Sequence, residues 1–176
     1  MLILAFETSA KSCSAALHDG QKLLAESCQN TGLTHSQTLM VMAEDLLKQC
    51  GKTVADVTAV AVAEGPGSFT GLRIGIAAVK ALGMSLEKPC AAVSTLEALA
   101  YNMQSFSGII CAAMDARCNQ VYCAIFAVDG ENIKRLTEDM ALQIEELSEK
   151  LGQYDNVVFV GDGAKLCYAK LGYVTA

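Results

Sequence analysis

Apolar and polar positions along the chain switch between two periods, and the switches outline its elements. Residues 2–7 form a continuous apolar run closed by Glu7, which predicts a strand buried on both faces. Residues 12–18 and 22–28 flank Asp19-Gly20, a hairpin signal, and predict two more strands. From Thr34 or Ser36 to about Cys50 the period becomes helical. Leu39, Met40, Met42, Ala43, Leu46, Leu47 and Cys50 make one broad apolar stripe, with Glu44, Asp45, Lys48 and Gln49 opposite and Gly51 at the C-terminal cap. Residues 57–63 read as a fourth strand and 89–93 as a fifth. A helix to about Gln104 follows, capped by Ser94 or Thr95, and Glu97 completes a capping box if Ser94 is the cap.

The order is therefore β-β-β-α-β-α-β-α, and then it starts again. Residues 108–114 and 120–128 are strands, Asp129-Gly130 is a second hairpin signal, and 132–138 is a weaker third strand. A helix over 142–151, a strand over 157–160 and Gly161-Asp162-Gly163 leading into a helix through Tyr168 complete a β-β-β-α-β-α run. Repetition of supersecondary order predicts two half-domains, 1–105 and 106–176, with the second copy incomplete.

The most distinctive stretch is Glu64-Gly65-Pro66-Gly67-Ser68-Phe69-Thr70-Gly71-Leu72-Arg73-Ile74-Gly75. An apolar strand turns sharply there into a helix that Ser68 or Thr70 can cap. Its only charges between Gly71 and Met84 are Arg73 and Lys80, on one side, so most faces must be buried. Two charges in so short a stretch argue against a bilayer span. The spacing does not fit a Walker loop, a dinucleotide fingerprint or a nucleophile elbow. Two readings of the loop stay open. One is a tight turn feeding a buried helix. The other is an anion or nucleotide contact made by Glu7, Thr8, Gly65, Gly67, Ser68, Thr70 and Gly71.

Composition narrows the function classes. The net charge of −6 without any Lys/Arg run argues against direct nucleic-acid binding by this chain alone. The first residues lack the basic region of a signal peptide. None of the 8 cysteines forms C-x-x-C, and most sit in apolar runs, as expected of small core residues in a reducing cytoplasm.

The stretch from Glu64 to Gly75 closely resembles the signature of the bacterial TsaB (YeaZ) family of tRNA threonylcarbamoyladenosine biosynthesis proteins, also labelled glycoprotease-like. Ile3-Leu4-Ala5-Phe6-Glu7-Thr8-Ser9, Thr34-His35-Ser36-Gln37, Val93-Ser94-Thr95-Leu96, Met114-Asp115-Ala116-Arg117 and Val121-Tyr122 add to the resemblance. It implies an α/β fold of the actin/Hsp70/sugar-kinase (ribonuclease H-like) class with duplicated halves. It implies a cytoplasmic, non-catalytic subunit that pairs with the catalytic paralogue TsaD, with the ATPase TsaE docking on the pair. That complex moves threonylcarbamoyl from threonylcarbamoyl-AMP to N6 of adenosine 37 in tRNAs reading codons that start with A. ATP and Mg²⁺ would then belong to the complex, tRNA would be met only through it, and this chain would carry no cofactor, metal or catalytic residue of its own.

The residues agree with that expectation. Catalytic relatives hold a metal with H-x-x-x-H at the start of this helix; here His35 is followed by Leu39. Asp115-Ala116-Arg117 reads as a salt-bridged hairpin or as a relic acid of a phosphotransfer site. The excess of apolar surface on the two helices predicts that they pack side by side and present Leu39, Met42, Ala43, Leu46, Leu72, Arg73, Ile76 and Val79 to the partner, or to a second copy when the partner is absent. The competing expectations are an ATP-using enzyme of the sugar- or acetate-kinase type, which needs more acids than the sequence offers, and a metal-dependent peptidase, which needs the second histidine.

Overall fold

The computed structural model describes residues 1–130 and 132–171, and the chain divides into two compact units, Met1–Ser94 and Thr95–Ala176. In the first, strands β1 (Ile3–Glu7), β2 (Cys13–His18) and β3 (Leu23–Gln29) precede helix α1 (His35–Gln49). Strand β4 (Ala59–Gly65), helix α2 (Phe69–Leu86) and strand β5 (Cys90–Ser94) follow. The sheet order is β3-β2-β1-β4-β5, with β2 antiparallel to its neighbours β1 and β3, and β4 parallel to β1 and β5. The parallel pairs need crossovers, which α1 and α2 supply.

One face of this sheet carries the core. Leu2 just before β1, Leu4 and Phe6 of β1, Cys13, Ala15 and Leu17 of β2, and Val60 and Val62 of β4 meet Leu39, Met42, Leu46 and Leu47 of α1 and Val79 of α2. The alternation along β1 and β2 puts these side chains on the helix-bearing face. At the start of α1 the Thr34 amide donates to Gln37 Oε1 at 3.1 Å. Helix α2 is long and apolar. By length and composition alone its 18 residues, with mean hydropathy 1.3, could cross a membrane. Instead it lies on β4 beside α1, with Gly71, Gly75, Val79 and Gly83 buried.

The second unit opens with α3 (Thr95–Tyr101), followed by β6 (Ser107–Arg117), β7 (Gln120–Asp129), β8 (Asn132–Arg135), β9 (Met140–Gln143), α4 (Ile144–Leu151), β10 (Val158–Val160) and α5 (Ala164–Leu171). Its sheet runs β10-β6-β7-β8, and β9 also pairs with β7. Cys111, Ala113, Cys123 and Ile125 form its core with Ile144, Leu147 and Leu151 of α4 and Cys167 of α5.

Two expectations shift. The division falls at Ser94/Thr95, not at 105/106, because α3 packs on β6, β7 and β8, and Glu97 meets Arg135 at 3.3 Å. The weak strand expected over 132–138 becomes two strands, and the helix expected from Leu142 starts at Ile144. The break occurs where the Thr137 hydroxyl, not a strand carbonyl, accepts the Ile125 amide at 2.9 Å.

Candidate functional site

The glycine-rich loop is built by β4 and α2 closing on the end of β1. Gly65 and Gly67 have φ of +124° and +156°, a region that favours glycine, and the Gly65-Pro66 bond is cis. A Cβ added at Gly67 would lie 2.5 Å from Ser9 Cβ and 2.6 Å from the Ser9 carbonyl oxygen. At Gly71 it would run into the Thr8 carbonyl oxygen, and at Gly75 into Thr8 Oγ1, both under 3.0 Å. Only hydrogen at these positions lets the helix backbone reach the strand end.

Hydrogen bonds complete the closure. The Ser68 amide donates to the Ser9 carbonyl at 2.7 Å, and Ser68 Oγ caps α2 by accepting the Gly71 amide at 3.3 Å. The Ser9 amide donates to Glu7 Oε1. From α1, His35 Nε2 lies 2.9 Å from the Ala10 carbonyl oxygen. Thr8 and Ser9 are buried, and among the described residues neither Thr8 Oγ1 nor Ser9 Oγ has a hydrogen-bond partner.

This geometry bears on the anion reading of Glu7, Thr8, Gly65, Gly67, Ser68, Thr70 and Gly71. The structure does bring these residues together. The Cβ directions of Gly67 and Gly71 are taken up by Ser9 and Thr8, and a Cβ added at Gly65 would lie 3.2 Å from Leu72 Cδ1. Glu7 spends one carboxylate oxygen within its own turn. Thr70 is exposed, one residue beyond the helix start. Among the described residues no group of three or more His, Cys, Asp or Glu side chains is placed to hold a metal ion.

The helix positions expected to face a partner need a correction. Leu39, Met42, Ala43, Leu46 and Val79 are at most 2% exposed and point into the core; Leu72 and Ile76 are half-buried, and of the set only Arg73 is exposed. The periodicity marks an apolar stripe correctly, but the chain's own sheet covers it. The outward face consists of other residues: Met40, Val41, Glu44, Asp45 and Lys48 on α1, and Phe69, Arg73, Ala77, Lys80, Ala81 and Met84 on α2. Glu44 and Lys48 pair at 2.8 Å, which lowers the Glu44 pKa and raises that of Lys48. Phe69 and Met84, 69% and 81% exposed, were missed; the available signal was their spacing from Arg73 and Lys80 along one helix side. An apolar groove of about 500 Å³ opens beside α1, lined by Leu4, Met40, Ala43, Leu47, Val54 and Leu82 among others.

The second unit repeats the closure at the turn after β10. The Gly163 amide donates to the Ala113 carbonyl at 3.0 Å, and a Cβ at Gly161 would collide with the same oxygen. Asp162 Oδ1 accepts the Asp115 amide at 3.2 Å, and Asp115 Oδ1 accepts the Arg117 amide at 2.8 Å. Asp115 thus meets the backbone of Arg117, not the salt-bridging guanidinium of the hairpin reading.

Duplicated β-β-β-α units with a mixed five-stranded sheet define a protein of the actin-like α/β fold class. The ethanolamine utilization protein EutJ of Carboxydothermus hydrogenoformans shares that fold, with a TM-score of 0.52 at 11% identity over 99% of this chain and 84% of that one. Much nearer is YeaZ from Pseudomonas aeruginosa, with a TM-score of 0.84 and 30% identity over 97% of this chain and 79% of that one. The family model for TsaD, tRNA N6-adenosine threonylcarbamoyltransferase, matches residues 29–173. The tRNA threonylcarbamoyladenosine biosynthesis protein TsaB of Bacillus subtilis is 35% identical over 94% of this chain and 73% of its own length. Its Escherichia coli counterpart is 36% identical over 93% and 72%. The chain belongs to the TsaB family of tRNA threonylcarbamoyladenosine biosynthesis proteins.

Proposed function

We propose that this chain is a non-catalytic subunit of the machinery that transfers threonylcarbamoyl from threonylcarbamoyl-AMP to N6 of adenosine 37 in tRNAs reading codons that start with A. In this reading it binds and activates the catalytic paralogue TsaD through the outward face of α1 and α2. TsaE docks on the pair, and ATP and Mg²⁺ act in the complex and not on this chain alone. Without the paralogue the same face takes a second copy. The work is cytoplasmic.

The observation that supports this reading best is the division of labour around the loop. Its glycines let the helix start pack against the chain's own Thr8 and Ser9, while the helix it launches shows solvent two large apolar side chains and two cations. His35 is engaged with a backbone carbonyl, and Leu39, where catalytic relatives carry their second histidine, is core.

The test is reconstitution with the same organism's threonylcarbamoyltransferase, TsaE, ATP, Mg²⁺ and unmodified tRNA, with or without this chain. The expected result is no transfer by this chain alone and a large stimulation when it joins the others. Transfer or ATP turnover by the isolated chain would contradict the proposal.

A further inference from the structure

The first unit has a second concave site, at the end of its sheet away from the glycine loop. A cavity of about 480 Å³ opens where the start of β1, the turn between β2 and β3, and the segment joining α1 to β4 meet. Leu2 and Leu24 give it apolar lining, and Asp19, Lys22, Lys52 and Asp56 give it charge. Thr58, also in the lining, is already engaged: its Oγ1 accepts the Leu2 amide at 2.7 Å and donates to the Leu2 carbonyl at 2.9 Å. The acids are half engaged. Asp19 Oδ1 accepts the Gln21 and Lys22 amides at 2.8 and 2.9 Å, and Asp56 Oδ2 accepts the Thr53 amide and hydroxyl at 2.7 and 2.9 Å. These donors hold both carboxyls below the usual range, so both are charged near neutral pH. Lys22 attracts Asp19 and Lys52 attracts Asp56, yet among the described residues neither lysine closes an ion pair.

From this lining we infer that the cavity binds a free α-amino acid with an apolar side chain. Two ammonium groups and two carboxylates favour neither an anion nor a cation as a whole. A ligand that carries both signs close together meets both sets. Its carboxylate takes a lysine ammonium, and its ammonium takes an aspartate oxygen left over from the turns, as charge-assisted hydrogen bonds. Its side chain packs on Leu2 and Leu24 and removes apolar area from water. The volume lies in the ordinary range for small-ligand sites, about 300–1,000 Å³. A phosphate group fits less well, because it meets Asp19 and Asp56 as well as the lysines, and like charges brought together cost affinity. The site is independent of the partner-binding reading above and shares no residue with the glycine loop.

The test is a set of NMR titrations of the whole isotope-labelled chain with L-leucine, with acetate and with n-butylamine, each to about 10 mM. Acetate and butylamine each carry only one of the two charges. Leucine should shift the backbone amide signals of residues 19–22 and 52–58 in a saturable way, with an affinity at least about tenfold above that of either single-charge probe. Two variants keep the fold in place: Asp19→Asn retains an acceptor for the turn, and Lys52→Gln changes an exposed side chain. With Tm unchanged, each should bind leucine about tenfold more weakly. No saturable shift with leucine would overturn the inference. So would acetate or butylamine binding as tightly as leucine, which would make the cavity a plain anion or cation site. Leucine shifts centred elsewhere in the chain, or unchanged in both folded variants, would overturn it as well.

Discussion

The turn after β4 and the turn after β10 solve one problem with different residues. Each must bring a helix start against the end of a strand. Each does so with glycines where a Cβ would strike that strand, and with an amide donated to its carbonyl: Ser68 to Ser9 at 2.7 Å, Gly163 to Ala113 at 3.0 Å. Between its glycines the first turn has Pro66 and the second Asp162, whose carboxylate holds the Asp115 amide. The first launches an 18-residue helix with an exposed apolar and basic side, the second an 8-residue helix. What the two share is a packing device. What they do not share is the exposed apolar and basic side of α2.

The packing half of that comparison breaks most severely at Gly71. Gly71→Val places side-chain atoms on the Thr8 carbonyl, and a loss of about 3 kcal/mol or more is expected, read as a collapsed midpoint in urea unfolding. A variant with near wild-type stability would mean that the helix start does not press on β1. Leu46→Ala removes a core side chain 2% exposed and should cost about 2–5 kcal/mol in the same experiment. Met84→Ala, on the outward side of α2, should change stability by no more than about 0.5 kcal/mol. Equal effects of these two alanines would erase the distinction between the inner and outer helix faces.

The second turn gives smaller effects. Asp162→Ala removes the acceptor of the Asp115 amide and should cost about 1 kcal/mol, against no such effect for an alanine at exposed Lys165. Behind that turn, burial pushes the Cys167 thiol up to about 11. The folded state therefore holds this proton more tightly than the unfolded state. The resulting stability is fully present below the ordinary thiol value of 9.0 and is lost as pH rises from there to about 11. In the native protein at mildly alkaline pH, a thiol reagent should label exposed Cys28, Cys90 and Cys118 and spare Cys111, Cys123 and Cys167 until the chain unfolds. Early labelling of Cys167 would contradict its place in the core.

Much of this was legible in the sequence for physical reasons. Continuous apolar runs marked the central strands, because β1 and β4 carry apolar side chains on both faces. Helical spacing marked α1, and glycines around Pro66 marked the tight turn. The covering of the α1 stripe was not legible. Periodicity shows that Leu39, Met42 and Leu46 share a face, but their own sheet and a partner protein would both want that face apolar. The division before α3 was hidden for a related reason: the helix follows β5 in sequence but finds its apolar neighbours, and the Arg135 partner of Glu97, later in the chain. The loop's glycines suited both a phosphate and a close backbone, and the close backbone, at Thr8 and Ser9, became visible only in the structure.

The central proposal is that this chain binds its catalytic paralogue through the outer side of α1 and α2. Size-exclusion chromatography with light scattering tests it most directly, on the chain alone and mixed with the same organism's threonylcarbamoyltransferase. The account predicts a one-to-one complex that forms at the expense of any self-association and is weakened by Arg73→Glu/Lys80→Glu. Two folded proteins that elute separately at every concentration would contradict it.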